Sequence, residues 1–344
     1  MSVKYRFLLF LALSAAAVHA AAQIEFVREC RQVKFPKNIP AGDYSGITAI
    51  GSNRYAVVSD KSDTDGFFVF SIDVDSITGD ITAVRNDGFM GDSLRGGDCE
   101  GVAYSPSTST LFISREFDGE IVEYGMDGKL TGRRLEIPSV YKAGMGNYGF
   151  ESLAYDAGLG LFWTMNESTL KRDGRQATPQ NGVRNRLRLQ SFGDDLKPKA
   201  QYAYLMDAPT AHSKASRYAM GVSAVAALGD GRLLVLEREF FVPKMKLGAF
   251  VKCKLYEVKP DDGFMIPSDS AMSDSTMFLP KRLIHSFTTH LRLFDRSIAN
   301  FEGMCLGPTL ADGSTAVILI SDSQGRYKGV LKDWLKTIVV RKQY

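Results

Sequence analysis

Three glutamates recur in one context. Glu100, Glu151 and Glu302 each precede a small residue (Gly101, Ser152, Gly303) at the mouth of a short apolar run. If those runs converge, three carboxylates meet in a partly dry space. They repel there, and a proton or a cation must relieve them. Oxygen ligands without His or Cys suit calcium or magnesium better than zinc. Glu100, Glu151 and Glu302 are therefore the expected metal ligands, with Ca2+ the expected cofactor, and Glu151 is also a catalytic candidate. A second acidic set, Asp60, Glu116, Glu167, Glu237 and Asp322, closes the apolar runs that follow. This set is expected at the opposite rim, as a different ring. Arg115 and Arg238 also follow second runs, as does Lys61. A guanidinium grips an anion bidentately, so Arg115 and Arg238 are candidates for steadying a phosphate. Singly, such residues are often solvated turn formers or surface ion pairs. Recurrence at one position sets the glutamates apart.

Serine chemistry is the competing possibility. Gly91-Asp92-Ser93-Leu94 spells a serine-esterase signature. A nucleophilic serine needs a base and an orienting acid. Downstream of the leader described below, only His212, His285 and His290 remain, and no Asp-x-x-His spacing occurs near the C-terminus. No Gly-x-Ser-x-Gly elbow is present. Gly91 and Gly96-Gly97 suggest instead a flexible connection between structural units.

The elements that must position these residues repeat. Each unit has a small or acidic entry, an apolar strand, a turn, a second apolar strand and a polar exit. The copies are 45–60, 100–116, 151–167, 221–239 and 302–322. Runs apolar throughout are buried on both faces. More polar, alternating segments follow, such as 67–72 and 120–124, as outer strands would. The spacing of about 50 to 80 residues is near or above propeller-blade periods. The expected fold is all-β: a single β-propeller of four-stranded blades around a channel. Five blades are counted directly, and a sixth has room between Gly221 and Gly303. After the last pair one good strand remains, 337–340, so an N-terminal strand, 24–27, is expected to close the ring. Residues 171–186, rich in basic side chains, read as a loop, and 259–276 as an exposed excursion.

Lys4 and Arg6 precede an apolar core, Phe7 to Leu13, and a small-residue exit ending near Ala22. This pattern predicts a secretory signal peptide over 1–22 and a propeller over 23–344. No other stretch has the length of a membrane span. The expected location is outside the cytoplasm, periplasmic or secreted. A net charge of +3 that falls when Lys4 and Arg6 are removed is no nucleic-acid footprint. A monomer is expected. Cys30, Cys99, Cys253 and Cys305 lack Cys-x-x-Cys spacing, which argues against zinc. They read as one or two bridges or as buried free thiols.

The ordered series Ser45-Gly46-Ile47, Asp98-Cys99-Glu100-Gly101-Val102-Ala103, Gly149-Phe150-Glu151-Ser152-Leu153-Ala154, Leu233-Leu234-Val235-Leu236-Glu237-Arg238 and Phe301-Glu302-Gly303-Met304 resembles the phytase-like family, described by an esterase-like activity of phytase. The resemblance runs from about residue 40 to about residue 325. It implies an exported bacterial β-propeller hydrolysing phosphoesters or esters, related in architecture to calcium-dependent alkaline phytases. The chain has Ser114-Arg115-Glu116 where members tend toward Ser-Asp-Glu, and Ser321-Asp322-Ser323-Gln324 where they tend toward Ser-Asp-Asp-Asn. The expected function is a calcium-dependent hydrolase of a small phosphoester or ester. The alternatives are a non-catalytic binding propeller with structural calcium and a lactonase-like propeller.

Overall fold

In the computed structural model, the structure describes residues 23–40, 42–95, 98–142, 149–325 and 330–343. Residues 1–22, the expected signal peptide, lie outside them. Five antiparallel sheets form; four have four strands each, and the last adds to its four a short fifth strand, Val33–Lys34, paired with Trp334–Gln343. The innermost strands are Tyr44–Ala49, Cys99–Ser105, Phe150–Asp156, Ala215–Ala227 and Asn300–Thr309 for blades 1 to 5. Each of these packs against the innermost strands of its two neighbours, which closes a ring around a central channel. This is the expected propeller, with five blades. The gap that had room for a sixth is filled by the long strands of blade 4, Leu233–Pro243, Ala249–Val258 and Lys281–Leu291.

The core lies between blades rather than within them. One apolar cluster joins blades 1 and 2 through Val58, Val69, Val102 and Ile113. Others join blades 2 and 3 through Phe112 and Phe162, and blades 3 and 4 through Trp163, Leu189 and Val235. Two more join blades 4 and 5 through Leu236 and Leu319, and blades 5 and 1 through Ile318 and Val57. A blade thus covers one face with each neighbour, which explains why its strands are apolar throughout. The ring closes on Gln23–Glu29, which pairs antiparallel with Trp334–Gln343, from Gln23 opposite Gln343 to Glu29 opposite Ile338. The N-terminal strand is the outer edge of blade 5, as expected.

One backbone irregularity positions everything that follows. Each innermost strand carries a register shift, after Tyr44, Cys99, Phe150 and Phe301 near the start of four strands and after Val222 midway along the longer blade 4 strand. The extra residue at each shift is Ser45, Glu100, Glu151, Ser223 or Glu302. Bulges of this kind re-aim a side chain. They also set the frame of the repeat. The residue after each bulge is Gly46, Gly101, Ser152, Ala224 or Gly303, and the next is Ile47, Val102, Leu153, Val225 or Met304. Blade 4 therefore enters its repeat at Ser223 and not at Gly221. The small residues allow close approach. A Cβ on Gly101 would stand 2.8 Å from the Leu153 nitrogen, and one on Gly303 2.8 Å from the Ser45 carbonyl oxygen. Neither glycine has positive φ, so space rather than conformational freedom selects them.

Gly91-Asp92-Ser93-Leu94 lies within Ile81–Arg95, the outermost strand of blade 1, with Gly91 opposite Gly66. It is ladder-paired strand, not the flexible connection expected. The four cysteines are buried and free. Burial pushes the Cys99 and Cys253 thiols up to about 12, which keeps them protonated and unreactive. Among the described residues no helix is long and apolar enough to cross a membrane.

The 259–276 excursion is tied down. Arg188 and Asp173 form a buried ion pair at 2.6 Å. Arg188 also donates to the carbonyls of Ser268 (3.2 Å) and Ser270 (2.6 Å), and the Met272 N–H donates to Asp173 at 2.9 Å. The basic loop and the excursion thus share one buried anchor on blade 3.

Candidate functional site

At one end of the channel a cavity of about 410 Å³ is lined by Glu100, Glu151 and Glu302 together. The bulges bring the three glutamates to a common space, one each from blades 2, 3 and 5. Asp60, Glu116, Glu167 and Asp322 line the same cavity. They were expected at the opposite rim. Antiparallel pairing forbids that: the end of a second strand faces the start of the first. Tyr44 is opposite Ser59, Cys99 opposite Arg115, Phe150 opposite Asn166 and Phe301 opposite Ser321. The next residue along is Asp60, Glu116, Glu167 or Asp322, so the two acidic sets form one double ring.

In blade 4 the corresponding pair is Val222 opposite Glu237, and the next residue is Arg238. Arg238, not Glu237, occupies this ring position. Glu237 turns away, accepting from the Tyr204 hydroxyl at 2.8 Å and pairing with Lys281. Arg238 is buried in the cavity wall. It donates to Glu167 at 2.8 Å and Asn300 at 3.0 Å, and it pairs with Glu302. Its flanking carboxylates outweigh the cost of burial and hold it protonated. One guanidinium thus neutralises the blade 3 and blade 5 side of the ring from within.

The blade 1 and 2 side has no such partner. Asp60, Glu100 and Glu116 each offer an oxygen, all within 4.8 Å of one another. Lys61 is the nearby cation, 2.7 Å from Asp60, with a side chain 60% exposed. Two carboxylates at such a distance repel by about 3–4 kcal/mol at an effective dielectric near 20. The protonation equilibria show the strain. Burial, then Glu151 and Asp60, raise Glu100 well above the usual carboxylate range. Burial, then Glu167 and Glu302, do the same to Glu151 against the opposing pull of Arg238. Burial, Asp60 and Glu167 push Glu116 up to about 7. Burial and Glu302 raise Asp322. Such a site takes up protons or a hard cation, and all-oxygen donors fit calcium or magnesium.

Arg115 does not reach the cavity. It is held by Asp65 at 3.2 Å and Glu120 at 3.3 Å and pairs with Asp118. Sitting one residue before the ring position, its side chain falls on the other face of the strand. Sequence reasoning missed Asp60 and Glu116 as partners of Glu100, and the inward role of Arg238. Correct antiparallel bookkeeping of the strand pairs is the signal that finds them. No Ser, Cys or His lines this cavity among the described residues.

A family model described as "Phytase-like: Esterase-like activity of phytase" matches residues 39–324. No curated protein matches the chain. Among solved structures, a streptogramin B lyase is similar at 10% identity, covering 90% of this chain and 97% of that one with a TM-score of 0.38. A luciferin-regenerating enzyme is similar at 10% identity, covering 90% and 94% with a TM-score of 0.42. The β-propeller domain of Myceliophteria thermophila Cps50 (Swd1) is similar at 7% identity, covering 89% and 99% with a TM-score of 0.34.

Proposed function

The chain belongs to the phytase-like family, and from that premise we propose that it is an exported, calcium-dependent hydrolase of small phosphoesters or esters, working at the carboxylate mouth of the channel. The observation that carries this reading is the Asp60–Glu100–Glu116 trio: three oxygens within 4.8 Å, on the side of the ring that lacks a guanidinium. These three residues hold the cation. Of the ligands expected from sequence, Glu100 keeps that role, Glu302 is engaged by Arg238, and Glu151 stands between the two sides.

When bound, such an ion polarises a phosphoryl or carbonyl oxygen and acidifies a coordinated water. The chain's own residues do the rest. Among the described residues the lining holds carboxylates rather than Ser, Cys or His; water serves as the nucleophile, and Glu151 takes its proton. Burial and neighbouring carboxylates raise the Glu151 proton affinity, as a general base requires. Arg238 pairs with Glu167 and Glu302 beside it. Lys61, exposed at the mouth, steadies the departing anion in place of Arg115. Residues 1–22 serve as the export signal, and the mature chain acts as a monomer in the periplasm or outside the cell.

The test uses the purified mature chain with chromogenic phosphate, carboxylic ester and lactone substrates, with and without EDTA and calcium. Hydrolysis of the phosphate or the ester that EDTA abolishes and calcium restores is the expected result. Turnover of the lactone alone would move the chemistry to a neutral ring ester. Absence of turnover on all three, with calcium still raising Tm, would replace the hydrolase by a binding propeller.

A further inference from the structure

Beneath the carboxylates the channel narrows to a neck of about 10 Å³. Its wall is the ring of bulge residues and the ring of small residues below it. Its floor is the apolar ring that begins with Ile47 and Val102, shared with a second cavity toward the opposite face. Two hydroxyls in this wall are anomalous. Ser223, the blade 4 bulge residue, and Ser152, just past the blade 3 bulge, are 1% and 2% exposed. Neither Oγ has a hydrogen-bond partner in the protein. Ser45, the blade 1 bulge residue, differs: its hydroxyl donates to the Cys99 carbonyl at 2.6 Å.

A buried hydroxyl without a partner is costly, and native proteins satisfy such groups with protein or ordered water. Two of them, from adjacent blades, line the same narrow space. That space has the volume of about one water probe. Glu151 and Glu302 line it as well. We propose that the neck is a binding site for one ordered water, held by Ser152 and Ser223 beneath Glu151 and Glu302. A water accepts from one hydroxyl, donates to the other, and keeps a second proton for a carboxylate, so every group present is satisfied. The apolar floor offers it nothing, which fixes it at this level. The water seals the cavity from below, so ligands enter and leave by the carboxylate mouth alone. This site stands whether or not the cavity above is catalytic.

The experiment is a high-resolution crystal structure of the mature chain, native and soaked in rubidium, read together with thermal melts of the Ser152→Ala/Ser223→Ala double variant. The expected result is one oxygen-sized peak without anomalous signal, within hydrogen-bond distance of both hydroxyls. The double variant should lose that peak and melt a few degrees lower. An empty neck, or a rubidium peak in it, overturns the proposal. So does a double variant that melts higher than the parent, because removing two truly orphaned hydroxyls relieves their burial cost.

Discussion

Two of the places where this molecule buries charge are built on opposite terms. On blade 3, Arg188 meets Asp173 through two parallel bonds of 2.7 and 2.6 Å. Its remaining donors reach Gln201 and the carbonyls of Ser268 and Ser270. The charges cancel and the donors are used. At the channel mouth, a double ring of carboxylates faces one buried guanidinium, whose Nε has no partner. The first arrangement has nothing left to offer a ligand. The second is unfinished until something cationic arrives, and perturbed, unbalanced groups in a cleft mark functional sites.

The sharpest way to break this comparison is to cut the balanced site. Asp173→Ala leaves Arg188 buried and unpaired and frees the Met272 N–H. The expected cost is about 3–5 kcal/mol of stability, read by denaturant unfolding. Calcium affinity of the folded fraction should stay unchanged. A changed affinity would mean that the blade 3 anchor and the channel are one system.

Arg238→Gln cuts the unfinished site at its buried counter-charge. Glu167 and Glu302 lose their partner, but burial already raises the proton affinity of Glu302 and Glu151, so the expected loss is smaller, about 1–3 kcal/mol in the metal-free protein. Calcium should restore more stability to this variant than to the parent, since a competing positive charge is gone. Calorimetric melts at fixed pH, with and without calcium, measure both.

Much of this was legible in the sequence, and the failures have physical causes. Two-sided burial makes the inner strands apolar throughout, so the repeat and the closing strand at Ile24 to Val27 could be read directly. The recurrence of Glu100, Glu151 and Glu302 before small residues reflects the bulge itself. Blade 4 hid because its bulge residue is Ser223 and the next is Ala224, which removes the Glu-Gly signature and leaves Gly221 as a decoy. The inward role of Arg238 followed from that frame and was lost with it. Arg115 looked equivalent to Arg238 by its neighbours, yet it stands one residue earlier on its strand, and alternation sends it to Asp65. The anchor at Arg188 carried no signal, because the carbonyls that complete it lie about 80 residues downstream in a loop.

Glu100→Gln sharpens the comparison from the other side. It removes a charge that is penalised in the empty site and useful in the filled one. The metal-free protein should hold or gain stability, while calcium binds at least tenfold more weakly, or about 1.4 kcal/mol. Titration calorimetry and melts of the same preparation give both signs. A variant both less stable without metal and unchanged in affinity would place the cation elsewhere in the ring.

The gentlest probe is pH. A carboxyl raised in the folded state binds more protons folded than unfolded, so stability is lost as pH rises from the ordinary carboxyl range through the raised value. For Glu116 that window runs from its unperturbed value of 4.5 to about 7, and Glu100, Glu151 and Asp322 extend it upward. Each group can contribute at most about 1.4 kcal/mol per pH unit, and partly exposed Glu116 contributes less because solvent screens it. The metal-free protein should therefore melt lower at pH 8 than at pH 5. Calcium should flatten the slope, because an ion held by the same oxygens displaces the protons, and its affinity should rise over the same window. Asp173→Ala should lower the whole curve without changing its tilt. The tilt belongs to the carboxylates that have no fixed partner, and a molecule whose stability ignored pH between 5 and 8 would have its channel charges already balanced by something in the protein.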